Sequence, residues 1–195
     1  MGTVRNLFAI IGVLAVLAGV AVSPYVWEVK TRFAEFDEKA LDTYVEMFRQ
    51  ILETGNAAEA TVWRSRVSDD LTVQEVDETI KFVANEHNIK NVGELPLYKQ
   101  VEAMSGKPYR FVKIYMFCNA QTAAQMLDYS DAFAAYLPCR LSLVEDKQGK
   151  LWIYTLNMDP MIYGGKPLPP ELKAEAIKVK EIMLDVLDRG AKGDF

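Results

Sequence analysis

Residues Asn6 to Trp27, NLFAIIGVLAVLAGVAVSPYVW, hold no charged side chain. At about 1.5 Å rise per residue, a helix of this length crosses a hydrocarbon core about 30 Å thick. Tyr25 and Trp27 stand where an interfacial aromatic belt falls. The competing reading is a cleaved signal peptide, whose apolar region runs about 7–15 residues. The run here is longer, cleavage after Ser23 leaves Pro24 at the next position, and Gly19-Val20-Ala21 is a weak site. An uncleaved anchor is therefore expected. Basic residues are nearly balanced across it, with Arg5 before and Lys30, Arg32 and Lys39 after. A very short tail ahead of a signal-like run favours an amino terminus in the cytoplasm. The expectation is a single-pass protein of the bacterial inner membrane with its C-terminal domain in the periplasm.

This divides the chain into a tail (1–5), an anchor (6–27), an amphipathic juxtamembrane helix (28–56) and a folded domain (57–195). A length of 195 residues suits one domain plus an appendage. The formal charge of −5 and the scattered Lys and Arg argue against nucleic acid, which needs a basic surface. His87 is the only histidine, so sites built from several imidazoles within one chain are excluded. It sits near the end of a helix, where a solvated role is the simplest reading.

Within the juxtamembrane segment, Phe33, Phe36, Leu41, Tyr44, Phe48 and Ile51 recur at mostly three- and four-residue spacings up to Gly55. The pattern predicts an amphipathic helix that either packs on the domain or serves as a stalk. Ala60 to Val67 alternates like a strand. Thr72 and Glu75 have capping-box spacing and open a helix that runs to about His87. A short helix follows around Leu97 to Met104.

The segment YRFVKIYMFC is the strongest strand, with Val112, Ile114, Met116 and Cys118 on one face and Phe111, Lys113, Tyr115 and Phe117 on the other. A helix over about Gln121 to Leu127, a turn at Asp128 to Ser130 and a returning segment lead to CRLSLVED. The turn DKQGK joins that strand to LWIYTLNM. Pro169 and Pro170 begin a long last helix, lined by Leu172, Ala176, Val179, Met183 and Leu187 and closed by Gly190. This order predicts an α+β fold, a single mainly antiparallel sheet backed by helices.

From Ser68 to Asp159 the layout resembles the bacterial domain of unknown function 302. The residues that carry the resemblance are Phe117-Cys118-Asn119-Ala120, then Leu137-Pro138-Cys139-Arg140. Glu145, Asp146 and Gly149 follow, and Asn157-Met158-Asp159-Pro160 closes the motif. The resemblance implies a compact α+β domain, often dimeric, with no catalytic residues to carry over. Cys118 replaces the family's Gly and Cys139 its second Leu, and this paired departure implies that the two are neighbours.

Two arrangements fit the segments ending at Cys118 and starting at Cys139. Parallel strands would hold the thiols over about 20 Å apart. Antiparallel strands place both at one edge, and this case is favoured. A disulfide, two reduced buried thiols and a functional thiol site all remain open. The functional form is a copper site of Cys118 and Cys139 with Met116, Met158 or Met161, soft donors suited to Cu(I), or a thiol activated by Arg140. No cofactor is expected otherwise.

Asn119, Arg140, Glu145, Asp146 and Asp159 are the candidate pocket residues. The run TLNMDPMIYGGKPLPP reads as a flexible connector or contact loop. Because no nucleophile–base pair is visible, the first functional reading is a non-catalytic accessory or assembly component of a membrane complex. Its partners would be the bilayer and a membrane protein complex or a second copy. A thiol or copper redox domain is the alternative. An enzyme using Glu145, Asp146 and Arg140 ranks last.

Overall fold

The structure, a computed structural model, describes residues 2–195. Helix α1 spans Gly2–Phe33, α2 Ala40–Thr54 and α3 Ala57–Ala60, before strand β1 at Val62–Arg66. Then come α4 (Val73–Glu86), β2 (Lys90–Leu95), α5 (Leu97–Ser105), β3 (Val112–Cys118) and α6 (Ala120–Tyr129). A 3₁₀ turn over Asp131–Tyr136 leads to β4 (Cys139–Glu145), β5 (Leu151–Leu156), α7 (Asp159–Tyr163) and α8 (Pro170–Lys192). The strands form one antiparallel sheet in the order β1-β5-β4-β3-β2. The α+β class is the one the sequence predicts.

Met1, part of the expected tail, lies outside the described residues, and Gly2 onward is already helical. Helix α1 also runs past Trp27. Its last turns carry the Glu28–Arg32 pair at 2.8 Å, an i,i+4 contact that favours helix over a break. The break comes later, at residues 34–39, and α2 ends on Gly55 in the left-handed conformation.

In α4 the predicted capping box is present. Thr72 accepts from the Glu75 amide, while the Glu75 carboxylate accepts from the Thr72 amide at 2.7 Å. His87 stands at the helix end with Nε2 2.7 Å from Asp185 Oδ2, so it is held in a side-chain hydrogen bond rather than only solvated.

The core lies between the sheet and the pair α4 and α8. On β3 the fully buried face is the one bearing Tyr115 and Phe117, joined by Leu141 and Leu143 of β4 and Ile153 of β5. Val112, Ile114 and Met116, the more apolar face by sequence, are only half-buried. Lys113 lies on the covered face because it has partners there: its Nζ is 2.5 Å from Asp77 Oδ1 and 2.6 Å from Glu94 Oε2. Tyr115 donates its hydroxyl to the same Asp77 oxygen. Paired charges can be buried where isolated ones cannot.

Strand β2 has no counterpart in the sequence-based reading. Its residues KNVGEL are half polar, mostly exposed at the sheet edge and interrupted by a register shift between Asn91 and Gly93, so no period-2 pattern survives.

Helix α8 starts at Pro170 and buries Leu172, Ala176, Val179, Met183 and Leu187, as their spacing predicts. Its end is not Gly190 but Gly193, which has φ 75°. Gly190 instead lies where α8 meets α4 and β5. A Cβ there would sit 3.0 Å from Ile80 Cγ1 and 3.1 Å from Ile153 Cδ1.

The run expected to be a flexible loop after β5 is helix α7, opened by the Asn157 side chain accepting from the Asp159 amide at 2.9 Å and by Pro160 in its first turn. It is the dock for α2. Tyr44 donates its hydroxyl to the Gly164 carbonyl at 2.6 Å. Gly164 permits that approach, because a Cβ would lie 2.8 Å from the Tyr44 oxygen and 2.3 Å from the Pro160 carbonyl. Asp37, just before α2, is buried, pairs with Lys173 and donates its amide to the Gly165 carbonyl at 2.8 Å.

Candidate functional site: a sulfur-lined cavity

Strand β3 runs antiparallel to β4 with Phe117 opposite Cys139. Beyond Cys118 the chain turns at once into α6. Asn119 is extended, and its Oδ1 accepts from the amides of Gln121 and Thr122 at 3.1 and 3.2 Å. Helix α6 leads outward and the 3₁₀ turn leads back. Leu137 is extended, as a residue before proline prefers, and the Leu137–Pro138 peptide is cis. The end of β3 and the start of β4 thus share one edge, the antiparallel arrangement favoured from sequence. The two cysteines are neighbours there, and both are free thiols. The disulfide considered from sequence is not formed in this structure. By alternation, Cys139 lies on the covered face with Leu141 and Leu143, and Cys118 follows Ile114 and Met116 on the other.

Beside this edge lies a cavity of about 60 Å³. That is room enough to admit water, for which about 10–15 Å³ suffices. Six sulfur-bearing residues line it: Cys118, Cys139, Met126 of α6, Met158, Met161 of α7 and Met183 of α8. Five residues with polar side chains share the lining, Asn119, Thr122, Tyr136, Arg140 and Thr155. Three have side chains with partners of their own. Asn119 caps α6, Thr122 donates to Glu175 at 3.4 Å, and Thr155 donates to the Arg140 carbonyl at 2.9 Å. Tyr136 and Arg140 are exposed. The chemistry left to face the cavity is sulfur.

Burial, and after it the neighbouring Cys118, push the Cys139 thiol up to about 11, while the Arg140 charge opposes them with less effect. Cys139 is therefore a neutral thiol at ordinary pH, which argues against activation by Arg140 as a nucleophile. A metal ion would have to displace its proton.

The other candidates divide cleanly. Met116 is outside the lining. A Cβ on Gly93 would meet its terminal methyl at 2.7 Å, which places Met116 against the β2 edge strand rather than in the cavity. Met126 and Met183 stand in the lining, and the sequence reading missed them as site residues. Met183 was legible only as a member of the buried stripe of α8. Asp159 is at the start of α7, paired with Lys180 and absent from the lining.

Glu145 and Asp146 close the far end of β4. Seven residues at about 3.3 Å separate Cys139 from Glu145 by about 20 Å. Their carboxylates build the hairpin. Glu145 accepts from the Phe111 amide at 3.0 Å, and Asp146 accepts from the Gln148 and Lys150 amides at 2.8 and 2.9 Å and from the Trp152 indole at 2.9 Å. Among the described residues there is no group of three or more His, Cys, Asp or Glu side chains placed to hold a metal ion.

A family model described as "Domain of unknown function DUF302" matches residues 64–190. The chain belongs to the DUF302 family. The match begins on β1 and reaches Gly190 of α8, so the family unit includes the last helix, beyond the Ser68 to Asp159 span that carried the resemblance. A solved structure, the crystal structure of the uncharacterized conserved protein DUF302 from Bacillus stearothermophilus, is similar at a TM-score of 0.54 and 19% identity. The alignment covers 66% of this chain and 97% of that one. At that identity the likeness concerns the fold. A comparison with curated proteins found no match. Helices α1 and α2 precede the matched residues, so the apolar helix and its amphipathic successor are additions to the DUF302 unit.

Proposed function

We propose that the chain is a membrane-anchored DUF302 domain, held outside the cytoplasm, that acts as a non-catalytic accessory or assembly component of a larger membrane complex. The observation that carries this reading is α1. The helix over Phe8–Phe33 holds an 18-residue stretch of mean hydropathy 2.2, and none of its residues is buried against the domain. An apolar helix that contributes nothing to the core has no role as a soluble core helix, and a bilayer would cover it. Mild detergent extraction tests this reading. A membrane protein co-purifying in fixed proportion is the expected result. Recovery only as a monomer or homodimer would contradict it.

A second reading is favoured by the cavity. Two thiols and four thioethers around a small apolar space are a donor set for Cu(I), whose preference is for soft sulfur ligands. Titration of the reduced full-length protein with Cu(I) against a chromophoric chelator is expected to give one equivalent bound. That binding should be lost in Cys118→Ser or Cys139→Ser and kept in Met116→Leu, since Met116 is outside the lining. Binding unaffected by either serine variant would end this reading.

A further inference from the structure

We infer that α2 lies along the bilayer surface, with an exposed apolar stripe seated at the boundary between lipid headgroups and acyl chains. The inference rests on the anchor proposed above. Helix α2 has three faces rather than two. Ala40, Tyr44, Met47 and Ile51 form the first, which includes the buried Ala40 and the Tyr44 hydroxyl docked on Gly164. Asp42, Glu46, Arg49 and Glu53 form the second, which is charged. Between them runs a third, at the four-, three- and four-residue spacings of a single stripe. It consists of Leu41, Val45, Phe48 and Leu52, which are 57%, 57%, 60% and 70% exposed. A two-faced helix packed on its domain would have no such stripe.

The position of α2 names what covers it. Only residues 34–39 separate it from α1. Fully extended, six residues span at most about 20 Å. Here the first three are wound back by bonds from the amides of Ala34, Glu35 and Phe36 to the carbonyls of Lys30, Arg32 and Phe33. Leu41, the first residue of the stripe, lines a shared recess with Tyr25, Val29 and Phe33 of α1. The stripe therefore starts beside the part of the anchor that carries its interfacial aromatic residues. If α1 spans the bilayer, α2 cannot leave its surface. The charged face holds three acids and one arginine, so attraction to anionic lipid is not the driving force. Apolar burial is, and a zwitterionic bilayer suffices.

The test uses the full chain in phosphatidylcholine vesicles. A photoreactive benzoylphenylalanine replaces Phe48 on the stripe, Glu46 on the charged face or Trp27 on the anchor, and mass spectrometry reads the adducts. All three positions are exposed, so the fold is kept. Lipid adducts at positions 48 and 27 with none at 46 are the expected result. Lipid at 27 but not at 48 would overturn the interfacial helix and leave the anchor standing. A protein adduct at 48 would overturn it in favour of a partner subunit or a second copy. Lipid at 48 but not at 27 would support the interfacial helix and sink the anchor. Absence of lipid at both would sink both.

Discussion

Cys139 stands directly opposite Phe117 in the β3–β4 ladder, one residue from Cys118, so two thiols far apart in sequence share one strand edge and one cavity. They are not equivalent, because Cys139 is on the covered face, where burial raises its pKa to about 11. At pH 8 such a thiol is about one-thousandth thiolate, against about a quarter for an ordinary cysteine near 8.5. Alkylation of native protein at pH 8, followed by peptide mapping, should therefore label Cys139 at least about tenfold more slowly than the same residue in denaturant. Equal rates would place it outside the cavity.

The same shift has a stability consequence. The folded state favours the protonated Cys139 thiol, so its contribution is level below the unfolded value near 8.5 and declines as pH rises towards about 11. Urea midpoints of wild type and Cys139→Ala should draw together across that window, because the alanine variant has no thiol to ionise. Parallel curves would contradict the assignment.

Asp77 is the most heavily engaged carboxylate of the sheet–helix interface. Burial acts to raise its pKa, but hydrogen bonds from Lys113, Lys81 and Tyr115 outweigh it and hold the group below the usual carboxylate value. Its stabilisation is thus present above the unfolded pKa and is lost as pH falls below about 4. Asp77→Ala leaves the Tyr115 hydroxyl without its acceptor and Lys113 with Glu94 as its remaining partner, in a mostly buried setting, and should cost about 2–3 kcal/mol. Tyr115→Phe, which removes one hydrogen bond, should cost about 1 kcal/mol. Denaturant unfolding at pH 7 separates the two, and equal losses would show that the network does not centre on Asp77.

Much of this architecture was legible in the sequence because it rests on period and punctuation. The Thr72–Glu75 box, the α8 stripe from Leu172 to Leu187 and the β4–β5 hairpin are local signals, and each appears in the structure. What period cannot show is partnership. Lys113 lies on the covered face because Asp77 and Glu94, distant in sequence, receive it. Gly190 looked like a helix terminator, yet it is a packing contact with Ile80 and Ile153. The neighbourhood of Cys118 and Cys139 could be argued from strand direction, whereas Met126 and Met183 join them only through tertiary packing. Met116, adjacent in sequence to Phe117, is outside the cavity because it packs against Gly93 of the β2 edge strand.

The docking of α2 depends on one hydrogen bond and one glycine. Tyr44→Phe removes the donor to Gly164, and Gly164→Val adds a side chain where a Cβ alone would meet the Pro160 carbonyl at 2.3 Å. Hydrogen exchange should speed up across residues 40–54 in both variants while β3 and β4 keep their protection. The phenylalanine change should cost about 0.5–1.5 kcal/mol of docking. Unchanged exchange in α2 would show that other contacts hold it.

Alkaline carbonate extraction of native membranes, with intact-mass analysis of the recovered chain, tests the proposal that α1 is a retained anchor. A retained anchor leaves the protein in the membrane pellet with residues 6–27 still attached. A chain released into the alkaline supernatant, with a mass showing cleavage after Ala21 or Ser23, would contradict it.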